Sequence, residues 1–543
     1  MAKKRRKKKR YINAQFLWLL SALAGAAFIV SFGRLSMLPF SWTLIAGAVV
    51  GVILLITLAL STRNQKSYAV KTVNLVMCGV MLVMAWLLPV YQNKISELFN
   101  IVTGDISNIN FYVLNEKYRE NHLEQFVDSS ISYQMGDHLN DLFITSITAD
   151  ALNAAKAVSQ VKEDYGTSIR TTDRSSYIDA LQALYRGDGD VLIMSASFEA
   201  MIADNEEYEQ FRDDLQVIYS VQKAVDNVLP ESTTALTREP FIVFFGGNDE
   251  EGDLYLEGKT DVDMMVTVNP NSHQIAIVSL PRDSYVDNPV FGYGDKLTHL
   301  GMQGIDNTLL GLKNYLGQQI DNYVIINFTT FKNIIDALGG VDIYNEYGFT
   351  AINEMEFPEG ELHLEGDRAL MFVRERYSLP DGDFGRNYHQ QQVMHAIIDK
   401  VTSPEVIVHV DDLLDALEGT FLTNLTSDSI YALCRKQLEE NISWNIVSYH
   451  VLGLVDFAEC ASAPGMELSV VFPYPNQVRF VSQVMSDVID GEIVEQQELP
   501  YGEYDYETPD YDYQNYSDQT YDNQDEYYEE YPETDEEAAD GGW

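Results

Sequence analysis

The chain has 543 residues, with 36 Lys and Arg against 82 Asp and Glu, for a net charge of −46 at neutral pH. Residues 1–94 hold thirteen basic and no acidic side chains, which leaves 23 basic against 82 acidic ones in the remainder. A body so acidic repels a phosphodiester backbone, which argues against nucleic-acid binding, and three cysteines are too few for a disulfide-built scaffold.

The first segment, 1–15, contains KKRRKKKR at residues 3–10. Charge-free apolar runs come next at Phe16–Phe32, Trp42–Leu60 and Val73–Val90, each near the length that spans a bilayer, so 16–94 reads as three transmembrane helices. Positive charge at the N-terminus, and Arg63, Lys66 and Lys71 in the second loop, place those parts in the cytoplasm. Three spans then carry everything after about residue 94 outside. The expected location is the cell membrane, multi-pass, with a large extracytoplasmic C-terminal region.

Residues 95–239 alternate helix and strand signals: Tyr177–Tyr185 has helical spacing, Asp190–Ser195 and Leu215–Val221 are strand-like, and Phe198–Ile202 reads as a short helix. The pattern predicts a small α/β accessory domain without a catalytic constellation, for binding or as a spacer. From 240 to 401 the strands Phe241–Phe245, Asp263–Asn269 and Gln274–Leu280 lead into helical periodicity at Ile305–Leu316 and Phe331–Leu338, stopped by Gly339-Gly340. Ala369–Val373 reads as a strand and Arg386–Lys400 as a helix. Residues 402–497 read as an α/β extension that completes the same domain. The stretch 498–543 is acidic and Tyr-rich with almost no aliphatic residues, and reads as a disordered tail. The predicted fold class is α/β, a mixed β-sheet flanked by helices. Cys434 and Cys460 fall in the outer region, where a bridge and two free thiols are both compatible with their spacing; no Cys/His metal-ligand spacing occurs.

In so acidic a region, basic residues gathered at element ends need a reason. Arg374 and Arg376, two apart on the expected strand, share a face, with Glu375 on the other; Arg386 and Gln390, four apart, share a helix face; Arg282 closes another strand. Guanidinium forks grip phosphate oxygens in pairs, so the set suits a pyrophosphate, whereas any one Arg alone suits an ordinary ion pair. Asp249 and Asp261 stand at two strand termini beside them, and paired carboxylates near phosphate suit Mg²⁺. P-loop, nucleophile-elbow and zincin motifs are missing from the sequence.

These residues resemble the LytR-CpsA-Psr family of cell-wall enzymes. The matching motifs are Gly247-Asn-Asp249, Lys259-Thr-Asp-Val262, Asn269-Pro270, Ser279-Leu-Pro-Arg-Asp-Ser-Tyr-Val286, Asp295-Lys-Leu-Thr-His299, Asp336-Ala-Leu-Gly-Gly-Val-Asp342, Arg374-Glu-Arg376 and Asp383-Phe-Gly-Arg386 with Gln390 and Gln391. The resemblance implies transfer of a phosphoglycosyl unit from a polyprenyl-pyrophosphate-linked glycan to a peptidoglycan hydroxyl. It implies that Asp249 and Asp261 associate with Mg²⁺, that Lys259, Arg282, Arg374, Arg376, Arg386 and Gln390 hold the pyrophosphate, and that Asp383 lies near the reacting group. Two departures stand out: Lys259 replaces a frequent Arg, and His389 stands where Arg is common. The alternatives are a non-catalytic envelope binding or regulatory protein and a hydrolase that uses water as acceptor.

Overall fold

The computed structural model describes residues 13–35, 38–99, 106–126, 130–146, 151–199, 202, 208, 210–224, 232, 235–248, 257–320, 322–379, 382–403, 413 and 421–503. The basic segment, Asp249 and the tail after 503 lie outside them.

Three apolar helices open the chain: α1 (Ala14–Phe32), α2 (Phe40–Arg63) and α3 (Tyr68–Phe99). By length and composition all three are able to cross a membrane. In hydrocarbon their few polar side chains need partners within the bundle. Asn74 of α3 donates to the Ser61 hydroxyl of α2 at 2.8 Å, while its backbone carbonyl accepts from the Ser21 hydroxyl of α1 at 2.7 Å. One residue thus ties three helices.

The accessory domain is a five-stranded sheet in the order β3-β2-β4-β1-β5. Its strands are β1 (Ile106–Leu114), β2 (Leu142–Ser146), β3 (Arg170–Arg174), β4 (Val191–Ser195) and β5 (Leu215–Ala224). Helix α4 (Ala151–Tyr165) covers one face through Ala157 and Val161, and α5 (Tyr177–Tyr185) covers the other through Leu181 and Leu184. The α5 bounds match the sequence reading, because its Ser176 cap accepts from the Asp179 N–H and its apolar spacing is regular. Met302 and Ala463 from the C-terminal half pack into this second cluster and join the domain to the larger sheet's part of the chain.

The larger sheet has six strands in the order β16-β11-β6-β7-β8-β17. Its middle is an antiparallel meander of β6 (Phe241–Asn248), β7 (Val262–Asn269) and β8 (Gln274–Leu280). A hairpin of β9 (Tyr285–Asn288) and β10 (Tyr293–Lys296) and helix α6 (Ile305–Leu316) come next, before β11 (Asn322–Asn327) returns parallel to β6. Helix α7 (Phe328–Ala337) then ends at Gly339 and Gly340, whose φ of 72° and 83° suit glycine. A small satellite holds β12 (Val341–Asn345), the two-residue strands β13 (Phe349–Thr350) and β14 (Glu356–Phe357), and β15 (Gly360–Leu364). Helices α8 (Gly366–Arg374) and α9 (Asp383–Thr402) complete it.

The remaining elements are β16 (Phe421–Thr423), α10 (Ser427–Glu440), β17 (Asn445–His450), a hairpin of β18 (Gly453–Cys460) and β19 (Ala463–Pro473), and α11 (Pro475–Asp490). Both edges of the six-stranded sheet come from the stretch read as an extension: β16 pairs with β11, and β17 with β8. Helices α6 and α11 cover one face, and Met394 of α9 packs with Ile275 and Ile277 on the other. Burial on two faces explains why the middle strands read as nearly continuous apolar runs.

Two expectations are corrected. Ala369–Val373 lies in helix α8, not in a strand. A short apolar run has no decisive period, and Ala, Leu and Met favour helix once Glu365-Gly-Asp opens a first turn. The second concerns the start of the tail, since residues 498–503 hold to the core: Leu499 packs against it, and the Pro500 carbonyl accepts from Gln477 at 2.8 Å. Cys78, Cys434 and Cys460 are all free thiols.

Candidate active site

Register explains how distant residues meet. Gly247 of β6 faces Val262 of β7, Asp263 faces Leu280 of β8, and Asn327 of β11 faces Asn248. One edge of the sheet therefore carries the ends of β6, β8 and β11 and the start of β7. Gly247 is glycine because a Cβ there would stand 2.9 Å from the Val262 Cβ. Just beyond this edge the Asp261 N–H donates to the Gly247 carbonyl at 2.7 Å, which fixes Asp261.

At that edge lies a cavity of about 370 Å³. It is lined by Asp261, Arg282, Arg374, Arg376, Arg386 and Gln390, with Phe328, Glu375 and Tyr377 among its other walls. Six of the residues expected from sequence thus share one space. Lys259 is buried and is not among the described residues that line it. Asp249 lies outside the described residues, as does the side chain of Asp383, whose backbone opens α9.

Arg374 and Arg376 converge by a route other than strand alternation. Arg374 ends α8 and stacks over the Phe328 ring, 4.5 Å from its centroid. Between the two arginines, the Glu375 carboxylate accepts backbone N–H bonds from Ile352, Arg376 and Ser378 at 3.1, 3.0 and 2.9 Å. That turn swings Arg376 back to the cavity, over Tyr377. Burial would raise the Glu375 carboxyl, but these backbone donors more than offset it and hold the pKa below the usual range. Strand alternation would point Glu375 away from the site; its position between two arginines at a helix end is the available clue to a turn-builder.

Arg386 and Gln390 do share a face of α9, and Gln390 donates to the Val373 carbonyl at 3.3 Å. Arg282 pairs with Asp261 and reaches Asp283 at 3.8 Å, and Lys296 meets Asp283 at 3.0 Å. Burial works to raise Asp283, yet Lys296 and Arg282 outweigh it and keep its pKa low. Asp263, fully buried, has its pKa raised to about 7 by desolvation despite the Thr260 hydroxyl bond. His389, at the position where the family commonly has Arg, is buried and stacked between Phe372 and Phe349, at 3.9 and 5.3 Å. Burial lowers its pKa to about 4, so the ring is neutral and belongs to the packing.

Asp295, His299 and Cys460 form one buried group, a juxtaposition that sequence spacing did not reveal. The Asp295 carboxylate accepts from the Lys296 N–H, the Asn288 amide, and the N–H and hydroxyl of Ser462, and it also meets His299. It is a polar knot joining the β9–β10 and β18–β19 hairpins, with its acceptor capacity filled by protein.

Beside the arginine cavity, and sharing Val262, Phe328, Val373 and Gln390 with it, a narrow apolar slot of about 50 Å³ runs between sheet and helices. Phe245, Phe331, Leu370 and Met394 line it. An anion-gripping cavity that continues into an apolar slot suits a ligand with a phosphate head and a hydrocarbon tail.

Residues 199–456 match the LytR_cpsA_psr family. A relative from Bacillus anthracis, named polyisoprenyl-teichoic acid–peptidoglycan teichoic acid transferase TagU, is 36% identical over 228 residues, 39% of this chain and 74% of that protein. An Enterococcus faecalis protein of the same name is 35% identical over 195 residues, 36% of this chain and 64% of its own. The crystal structure of Bacillus subtilis TagV is 25% identical and covers 47% of this chain and 98% of that one, with a TM-score of 0.40. On the strength of the match to three quarters of the Bacillus anthracis relative, the chain belongs to the LytR-CpsA-Psr family.

Proposed function

We propose that this protein moves the phosphoglycosyl unit of a polyprenyl-pyrophosphate-linked glycopolymer onto a hydroxyl of peptidoglycan. One observation carries the reading: Arg282, Arg374, Arg376 and Arg386 meet in a single cavity of a strongly acidic chain. The names of the relatives given above support the choice of donor and acceptor. In the reaction the acceptor hydroxyl oxygen bonds to the glycan-bearing phosphorus, the bridging P–O bond breaks, polyprenyl phosphate leaves, and the hydroxyl proton passes to solvent. Such a transfer needs position and charge neutralisation more than covalent help. The four guanidinium groups hold the phosphoryl oxygens in place and meet the charge that grows on the leaving oxygen. The apolar slot takes the isoprene unit nearest the pyrophosphate.

Asp261, a carboxylate at the cavity, is the donor type that Mg²⁺ takes alongside phosphate oxygens, so the residues fit the ion in kind. Asp261 and Asp249 would hold it, and it would supply further neutralisation of pyrophosphate charge. The topology follows from the charge pattern: a cytoplasmic N-terminus, three spans, and the catalytic region outside.

The test is a transfer assay with the purified full chain, lipid-linked glycans of several classes and a peptidoglycan acceptor. Polymer covalently bound to peptidoglycan is the expected product. Free polymer phosphate instead would identify a hydrolase, and an intact donor would leave a binding protein.

A further inference from the structure

Helix α9 has a second concavity on its other side, with a volume of about 600 Å³. The helix turns Arg386 and Gln390 to the arginine cavity, and Tyr388, Gln392, His395 and Asp399 to this groove. The facing wall comes from Tyr344 of β12, Ser448 and His450 of β17, and Gln496, Gln497 and Leu499. Its size lies within the range of about 300–1,000 Å³ in which small-molecule sites fall.

The lining narrows the choice of ligand. Among the described residues, no Lys or Arg lines the groove. Its two carboxylates already have partners, Asp342 meeting His363 at 2.7 Å and Lys400 at 3.8 Å, and Asp399 meeting His395 at 3.5 Å. A polyphosphate therefore finds no Lys or Arg to neutralise it there. A hydrocarbon chain would displace water from this polar lining and give it no hydrogen-bond partners in exchange. Two acceptors already lack them: Gln392 Oε1 and Ser448 Oγ are buried with no hydrogen-bond partner. What fits is an uncharged ligand with closely spaced hydroxyl and amide groups and apolar ring faces. Planar amides meet the first and tyrosine rings the second.

We propose that this groove binds an uncharged, N-acetylated glycan strand. The preference for a neutral saccharide comes from the groove alone; the identification with a wall glycan rests on the function proposed above. The arginine cavity and the groove share α9, one on each side of the helix.

The test uses the full chain in lipid nanodiscs, titrated calorimetrically with the tetramer of N-acetylglucosamine and, separately, with poly(glycerol phosphate). No lipid-linked donor is present, so the result does not depend on whether the chain transfers anything. The tetramer is expected to bind, and Tyr344→Ala with His395→Ala to weaken it at least about tenfold. Both side chains are well exposed, at 54% and 42%. If the double variant melts early, Tyr344→Ala alone replaces it. Arg376→Ala is expected to bind the tetramer as the wild type does. The proposal is overturned if no saturable binding occurs up to roughly 10 mM, if the groove variants bind unchanged, or if poly(glycerol phosphate) displaces the tetramer.

Discussion

The chain carries two α/β sheets, and they distribute their arginines differently. In the accessory sheet each of these guanidinium groups meets a nearby partner: Arg174 and Arg186 meet Asp188 at 3.6 and 3.2 Å, Arg212 meets Glu199 at 3.3 Å, and Arg170 donates to the Asn140 carbonyl. In the six-stranded sheet four arginines from three separate segments converge on one cavity beside an apolar slot. Layer architecture is similar in the two, so it does not decide the chemistry. What decides it is where element ends deliver charge, and whether several such charges gather at one space that a ligand can reach.

The comparison breaks most readily through large effects. Arg374→Ala combined with Arg376→Ala removes two charge-assisted contacts and should lower transfer by more than about a thousandfold. Thermal unfolding should change little, because Arg374 is exposed and Arg376 half-buried. Asp261→Ala comes next, with a loss of roughly a hundredfold and a blunted response to added Mg²⁺. A variant with normal turnover and an unchanged metal response would take Asp261 out of the site.

Two smaller effects sharpen the contrast. His389 packs as a neutral ring with a pKa near 4, below its usual 6.5. The unfolded chain then binds more protons between these values, so stability is full above about pH 6.5 and falls as pH drops toward 4, by on the order of 2–3 kcal/mol. His389→Phe should flatten that part of a melting-temperature profile, and an equally steep profile would assign the loss to carboxylates. At the bottom of the scale, Arg212→Lys in the accessory sheet should change stability by less than about 0.5 kcal/mol and transfer not at all.

Much of this was legible in the sequence, and the failures have a common cause. Strand β8 and helices α5 and α6 lie at the bounds the pattern predicted, since burial on both faces or a regular 3.6-residue period marks them. Arg386 and Gln390 share a cavity because helix spacing alone puts them on one face. For Arg374 and Arg376 the meeting was foreseen and the geometry was not. A five-residue apolar run does not separate strand from helix, and the Glu375 turn depends on an N–H of Ile352, more than twenty residues away. The Asp295–His299–Cys460 group and the groove across α9 were invisible for the same reason. Each is assembled from segments whose proximity only the sheet order creates.

The central claim is that convergent guanidinium forks hold a pyrophosphate, and Arg376→Lys tests it most directly. Lysine keeps the charge and loses the planar two-pronged contact. The measurement is transfer rate at saturating lipid-linked glycan, with unfolding followed in parallel. The account predicts a variant that melts like the wild type and transfers about thirty- to a thousandfold more slowly, equivalent to roughly 2–4 kcal/mol. A wild-type rate would mean that Arg376 does no more than its accessory-sheet counterparts, and would contradict the clamp.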